Sequence, residues 1–468
     1  MRRLFNSRQK ASALLRTALD QSAAAIINTD GRHLILAAKY NRFTTTSVLL
    51  TTIVKDAGRL ALINEQREWG HFERSVKENN EALTQPIYKK GKWYHMEHQA
   101  NHGLEAIVIF VETQLKRLAR LISFGFCCKY FSRYESEEEI YKHDQPQLDT
   151  ETPTVQNIGH ATLLFQMGRM NVLTDPIFGG LNPMFYPRQT KPGLKVDQLP
   201  PIDVIIISHN HRDHCDVDSL TQLVPHQPIL LVPKGDFKRF RDLGFTNVQE
   251  HEWWMTTTIS CNGEVVDFHS VPARHWSGTG ACDVQESLMC SWVFKRQGDE
   301  GAIYFRGDTA SIPMKTMQEI KQFVKAPIMA NFEPGGPNHR RRWMKSTHQS
   351  LLDSMLSCFE VSDGPDGRCM TYLMHHNAYE LGTDRFNEAI IIKDQILNFL
   401  QVEPLSTEDP TFRALPEFVQ KELEEGVLAR IQGIGVARFI NVINLYFVSP
   451  KIGERCPLRL SGSDEAAQ

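Results

Sequence analysis

Between residues 209 and 214 the chain places His209, His211, Asp213 and His214, directly behind the apolar run Val204-Ile205-Ile206-Ile207. Imidazole nitrogen and carboxylate oxygen together suit zinc or a similar borderline divalent ion. Alternate side chains of an extended loop point in opposite directions. His209 and His211 can therefore face one ion while Asp213 and His214 turn toward a second. An incidental polar turn rarely carries four ligand side chains at this spacing, so the loop reads as a metal site built for two ions.

Two ions need ligands from elsewhere in the chain, and three positions at the ends of strand-like runs supply them. His275 follows the alternating stretch Val265 to Val271, which runs into Pro272. Asp308 follows Ala302-Ile303-Tyr304-Phe305, with Gly307 permitting a sharp turn. His375 follows Met370-Thr371-Tyr372-Leu373-Met374. Each alone is an ordinary strand-end residue; as a set they complete the loop.

In this order, the His-x-His-x-Asp-His loop with His275, Asp308 and His375 resembles the metallo-β-lactamase superfamily. Within it the chain is most similar to the N-acyl-phosphatidylethanolamine-hydrolysing phospholipase D family. The stretches that narrow the resemblance are Gly159-His160-Ala161-Thr162, Leu173-Thr174-Asp175-Pro176-Ile177-Phe178 and Leu199-Pro200-Pro201-Ile202-Asp203. Glu252-Trp253-Trp254, Pro272-Ala273-Arg274-His275-Trp276-Ser277, Ser291-Trp292 and Phe305-Arg306-Gly307-Asp308-Thr309 continue it. It reaches over roughly residues 85 to 385, about two thirds of the chain.

The resemblance implies two Zn2+, one held by His209, His211 and His275 and one by Asp213, His214 and His375, with Asp308 bridging. Two divalent ions about 3.5–4 Å apart lower the pKa of a shared water and offset charge gathering on a phosphoryl oxygen. Asp175 is expected to orient a ligand histidine through its free ring N–H; the ordinary alternative is a turn-stabilising Asp before Pro176. Asp308, Asp213 and His348 are the catalytic candidates, and Trp276, His376 and Arg340 the substrate-binding ones. His348 either protonates a leaving group or binds phosphate, or else merely opens a helix with Gln349-Ser350-Leu351. Arg340-Arg341-Arg342 either receive phosphate or decorate a solvated loop.

Three residues depart from the resemblance. Arg212 stands in place of an aromatic residue. Cys215 follows the loop and is expected as a small buried residue, not a ligand. His376 competes with His375 as ligand; neighbours in an extended strand end point to opposite faces, which selects His375 and leaves His376 to line the pocket.

The expected fold is a four-layer αββα sandwich over residues 151–385, with helical N- and C-terminal extensions over 1–85 and 386–468 and an amphipathic helix and linker over 86–150. In the N-terminal extension the clearest helical run is Ser47 to Gln66. The stripe Leu104, Ile107, Val108, Val111, Leu115, Leu118 and Ile122, with Lys116, Arg117 and Arg120 beside it, either docks on the core or lies on a membrane surface. Phe439 to Phe447 is too short to span a bilayer and is left to pack on the core or form a homodimer or partner surface.

Over 468 residues the net charge is −3, which gives no electrostatic reason to expect nucleic acid. Nine cysteines without paired spacings point to a reducing compartment. No secretory signal is read at the N-terminus, whose basic stretch leaves mitochondrial import open; the expected location is cytoplasmic or peripheral on a membrane surface. The expected activity is phospholipase D-type hydrolysis of N-acyl-phosphatidylethanolamine or a related phospholipid to phosphatidic acid and N-acylethanolamine. The alternatives are another hydrolase on this fold, such as a sugar-phosphate lactonase, and an adaptor or host-interaction protein using the fold as scaffold.

Overall fold

The computed structural model describes residues 25–29, 32–36, 69–74, 83–95, 150–181, 188–280, 283–335, 347–362, 369–379 and 387–460. Its strands in chain order begin with the hairpin β1 (Ala25–Thr29) and β2 (Arg32–Leu36), then β3 (Trp69–Arg74) and the hairpin β4 (Ile87–Lys89) and β5 (Lys92–Tyr94). There follow β6 (Thr150–Gly159), β7 (Thr162–Gly168), β8 (Met170–Thr174), β9 (Val204–Ile206), β10 (Ile229–Pro233), β11 (Asn247–His251), β12 (Met255–Cys261) and β13 (Glu264–Pro272). The series closes with β14 (Cys290–Arg296), β15 (Ala302–Phe305), β16 (Ile328–Pro334), β17 (Met370–Met374), β18 (Phe447–Val448) and β19 (Arg455–Pro457). They form a seven-stranded sheet, β11-β10-β9-β8-β7-β6-β19, and an eight-stranded sheet, β18-β17-β16-β15-β14-β13-β12-β3.

The run Val204 to Ile207 shows why the two sheets must be covered on both faces. Val204 and Ile206 enter the cluster between the sheets with Phe165, Phe294 and Phe332. Ile205 and Ile207 enter a second cluster with Leu220, Leu223 and Phe240, on helices α1 (Val217–Leu223) and α2 (Phe237–Leu243). A strand buried on both faces reads as a continuous apolar run without alternation. Phe165 of one sheet meets Phe294 and Phe332 of the other edge to face, with ring centroids 5.1 and 5.0 Å apart. Beyond the eight-stranded sheet lie α3 (Met314–Val324) and α4 (Leu351–Ser362), giving the sandwich of two sheets between helices. Ser350 and Asp353 cap α4 reciprocally, each side chain accepting from the other's backbone N–H.

Outside residues 151–385 the structure differs from the sequence expectation at the N-terminal end. The described part of residues 1–85 contains strands where helix was expected, and β3 pairs antiparallel with β12 at the sheet edge; the run Ser47 to Gln66 and the stripe at 104–122 lie outside the described residues. The C-terminal stretch is helical through α5 (Glu388–Leu400), α6 (Pro410–Arg413), α7 (Glu417–Glu422), α8 (Leu428–Ile434) and α9 (Val436–Tyr446). It then returns β18 and β19, one to each sheet. Phe439 and Ile443 of α9 are buried with Leu356 and Phe359 of α4, so this segment packs on the core. Among the described residues no single helix is long and apolar enough to cross a membrane.

Candidate metal centre

The loop after β9 is held rigidly before any ligand is considered. Trp292 Nε1 donates to the Ile207 carbonyl at 2.8 Å, and the Cys290 N–H donates to the Ser208 carbonyl at 2.9 Å. Gly307 sits against it at φ +65°, where a Cβ would lie 2.4 Å from the Ser208 Cβ. Only glycine fits both the conformation and the approach. Asn210 adds a third tie, donating to Asp236 and Ser287 and accepting from the Gly278 N–H.

Three imidazoles then converge. His209 Nε2 lies 2.8 Å and His275 Nε2 3.1 Å from His211 Nδ1. The His275 Nδ1–H donates to the Thr347 carbonyl at 2.6 Å, so its Nε2 presents a lone pair. His209 Nδ1 faces Ser208 Oγ at 2.9 Å, while that hydroxyl donates to Asp175, so His209 Nε2 presents a lone pair too. Lone pairs aimed at one point repel unless a cation lies between them. Ligand nitrogens on a tetrahedral zinc ion stand about 3.4 Å apart, close to what is seen here.

A second group lies alongside. His214 Nε2 and His375 Nε2 are 3.0 Å apart, and each is 3.8 Å from Asp213 Oδ2. Asp175 accepts from the Ser208 N–H, the Ser208 hydroxyl and, at 2.7 Å, the His214 Nδ1–H. Asp308 Oδ2 stands between the groups, 3.6 Å from His275 Nε2 and 3.4 Å from His375 Nε2. Its Oδ1 is buried without a hydrogen-bond partner among the described residues. An orphaned carboxylate oxygen beside converging nitrogens fits a metal ion, and the donor set is able to bind one.

Burial and charge set the protonation states. Burial pushes His209, His275 and His375 well below the ordinary imidazole range and His211 down to about 4. These rings are neutral at pH 7, as ligation requires. Burial alone would raise Asp308 and Asp213, but the surrounding histidines win and hold both well below the usual carboxylate range. His214 is the exception: burial disfavours its charge, yet Asp213 and Asp175 raise it to about 9. Without a metal it carries the positive charge that the carboxylates demand, and a bound cation would displace that proton.

The structure brings His209, His211, Asp213, His214, His275, Asp308 and His375 together, with Asp175 hydrogen-bonded to His214 beneath them. His348 is there too, its Nε2 2.8 Å from Asp308 Oδ2. Trp276 packs edge-on against His211 with ring centroids 4.1 Å apart. His376 does not face the cluster: its Nε2 meets Ser449 Oγ at 3.1 Å, the chain having left β17 through a left-handed His375 at φ 65°. Arg340 lies outside the described residues. Cys215 is buried among Ile207, Leu220 and Phe240, with its thiol pushed well up by burial. Arg212 is tied outward, donating to the Thr279 carbonyl.

Sequence reasoning missed His160, Ser208 and Thr347, which orient the cluster. The signal for His160 was the Gly159-His160-Ala161-Thr162 stretch itself. That stretch is a two-residue turn between β6 and β7, interlocked with the Thr174-Asp175 corner. Thr162 Oγ1 donates to the Asp175 carbonyl, and Thr174 Oγ1 donates to the Ala161 carbonyl.

Residues 170–358 match the model of the beta-lactamase superfamily domain. Over 165 residues the chain is 33% identical to the mitochondrial N-acyl-phosphatidylethanolamine-hydrolyzing phospholipase D of Saccharomyces cerevisiae, covering 34% of this chain and 35% of that protein. Over 244 residues it is 27% identical to N-acyl-phosphatidylethanolamine-hydrolyzing phospholipase D 1 of Caenorhabditis elegans, covering 49% of this chain and 65% of that protein. The chain thus spans between about a third and two thirds of the length of these relatives. A solved metallo hydrolase from Ignicoccus hospitalis superposes with a TM-score of 0.39 at 13% identity, covering 66% of this chain and 99% of that one. With the His-x-His-x-Asp-His loop inside the match, residues 170–358 are similar to the beta-lactamase superfamily domain, and the chain is similar in part to these two phospholipase D relatives.

Proposed function

We propose that the chain is a binuclear zinc phosphodiesterase of phospholipase D type, acting on N-acyl-phosphatidylethanolamine or a related phospholipid. One observation carries this reading: Asp308 Oδ2 lies within 3.6 Å of an imidazole of each cluster, the placement a bridging ligand needs. In it, His209, His211 and His275 would hold one ion and Asp213, His214 and His375 the other, with Asp308 within reach of both groups. Bound zinc would supply a water of lowered pKa and offset charge on the phosphoryl oxygens. In the reaction, water oxygen adds to phosphorus and the bond from phosphorus to the ethanolamine oxygen breaks. The products are phosphatidic acid and N-acylethanolamine.

The other residues bind and orient. In this reading His348, whose Nε2 lies 2.8 Å from Asp308 Oδ2, carries a proton to the departing ethanolamine oxygen. Trp276, half-buried over His211, forms a wall for the substrate, and Arg340 is assigned to its phosphate on charge. The reading includes peripheral contact with a phospholipid surface. It is supported by the β4–β5 hairpin, where Lys89, Lys90 and Lys92 accompany the exposed Ile87 and Tyr88. The names of the two phospholipase D relatives support the substrate class.

The test is hydrolysis of N-acyl-phosphatidylethanolamine in mixed micelles by zinc-loaded protein, with His211→Ala and Asp308→Asn alongside. Phosphatidic acid and N-acylethanolamine, lost in both variants, are the expected result. Turnover of a lactone with none of any phosphodiester would overturn it in favour of ester hydrolysis at carbon.

A further inference from the structure

His160 is the buried imidazole nearest the second cluster that the ligand assignment leaves unused, and it touches that cluster in three ways. Its Nε2 lies 3.1 Å from Asp213 Oδ2. Its carbonyl accepts the His375 N–H at 3.0 Å. Its ring lies against that of His375, with centroids 3.8 Å apart and planes inclined by 38°. The residue is 2% exposed and holds a left-handed backbone, φ 60°, following Gly159 at φ 129°. A non-glycine residue is strained in that conformation, so the surroundings must fix it there. They do: the Thr162 and Thr174 hydroxyls lock the turn to the Asp175 corner, which in turn orients His214.

We propose that His160 is the positioning residue of the second metal subsite: its Nε2–H aims the Asp213 carboxylate while its backbone carbonyl and ring fix His375. Its Nδ1 is buried with no hydrogen-bond partner among the described residues, so the ring proton belongs on Nε2, facing the carboxylate. Among the described residues the His160 ring meets His214, His375 and Tyr379 and its Nε2 meets Asp213, all away from His209, His211 and His275. One turn therefore sets two of the three ligands of the second subsite and none of the first. This rests on the two-subsite reading above, and it predicts an asymmetry that the reading alone does not.

The test measures zinc affinity of each subsite by competition with a chromophoric chelator, together with the Co2+ absorption spectrum of the loaded protein. Asn suits the left-handed backbone, and its amide stops short of Asp213; Gln places an amide N–H near the position of imidazole Nε2. His160→Asn should weaken the ion of the second subsite, the one lost in His214→Ala, by about 10–100-fold, the usual effect of removing an outer partner of a ligand. The ion lost in His211→Ala should be unaffected. His160→Gln should recover most of the loss. If His160→Asn does not fold, His160→Phe keeps the ring contact without the donor and should show the same loss. Native protein binding two ions, with both affinities within about two-fold in the variant, would overturn the positioning role. Equal losses in the Asn and Gln variants would overturn the hydrogen bond as its basis. Native protein that binds fewer than two ions would instead overturn the two-subsite reading.

Discussion

Replacing Gly307 by alanine separates two costs that the structure places at one residue. The backbone there is left-handed, φ +65°, which costs an L-residue about 1–2 kcal/mol. The new Cβ would also meet Ser208 Cβ at 2.4 Å and Oγ at 2.7 Å, far inside van der Waals contact. Overpacking of this kind costs about 1–3 kcal/mol, so the expected loss is about 2–5 kcal/mol in all. Gly263 provides the control, because it has φ +85° with nothing within 4 Å of its Cβ position. Gly263→Ala should lose only the backbone part, about 1–2 kcal/mol. The assay is urea denaturation of both variants in chelator, so that metal binding does not add to apparent stability. Ser208 hydrogen-bonds Asp175 and faces His209, and Asp308 follows Gly307 directly, so Gly307→Ala should also weaken zinc binding while Gly263→Ala leaves it unchanged. Equal stability losses in the two variants would refute the contact with Ser208 as the reason for glycine at 307.

Three further outcomes follow from the same geometry. Arg306 and Glu333 form a buried ion pair at 3.1 Å between β15 and β16, so Glu333→Ala should destabilise by about 3–5 kcal/mol, read from the denaturation midpoint. His348→Gln should lower turnover by about 10²–10⁴-fold with metal content unchanged; a fall in bound zinc instead would make His348 a ligand. Burial holds the His269 ring down to about 4, against about 6.5 in the unfolded chain. The unfolded state thus binds the extra proton, and this contribution to stability is complete above about pH 6.5 and falls away as pH drops toward 4. His269→Gln should flatten the stability profile across that window relative to the native chain, as followed by denaturation at stepped pH.

Much of the site was legible because metal ligation demands residue types that little else explains. Four ligand side chains in six residues after Val204-Ile205-Ile206-Ile207 marked the loop, and strand ends marked His275, Asp308 and His375. The sandwich interior was legible as far as continuous apolar runs reveal strands buried on both faces. What was hidden depends on long-range pairing. The strands Trp69–Arg74, Phe447–Val448 and Arg455–Pro457 are short and pair with strands far off in the chain, as Phe447 does with Thr371, Arg74 with Thr257 and Arg455 with Gln156. His160 was hidden for the same reason, since its meaning comes from Asp213 and His375, which only the folded chain brings to it. His376 was hidden too: strand alternation does not apply at His375, whose left-handed backbone at φ 65° follows the end of the strand, and His376 meets Ser449.

The most direct test of the central claim is the number of zinc ions per chain after loading and removal of excess metal, measured by mass spectrometry on native, His211→Ala and His214→Ala proteins. Two separate ligand clusters joined by Asp308 predict two ions in the native chain and one in each variant, with the ion retained by His211→Ala being the one lost in His214→Ala. A native chain that holds fewer than two ions, or variants that both lose the same ion, would contradict it.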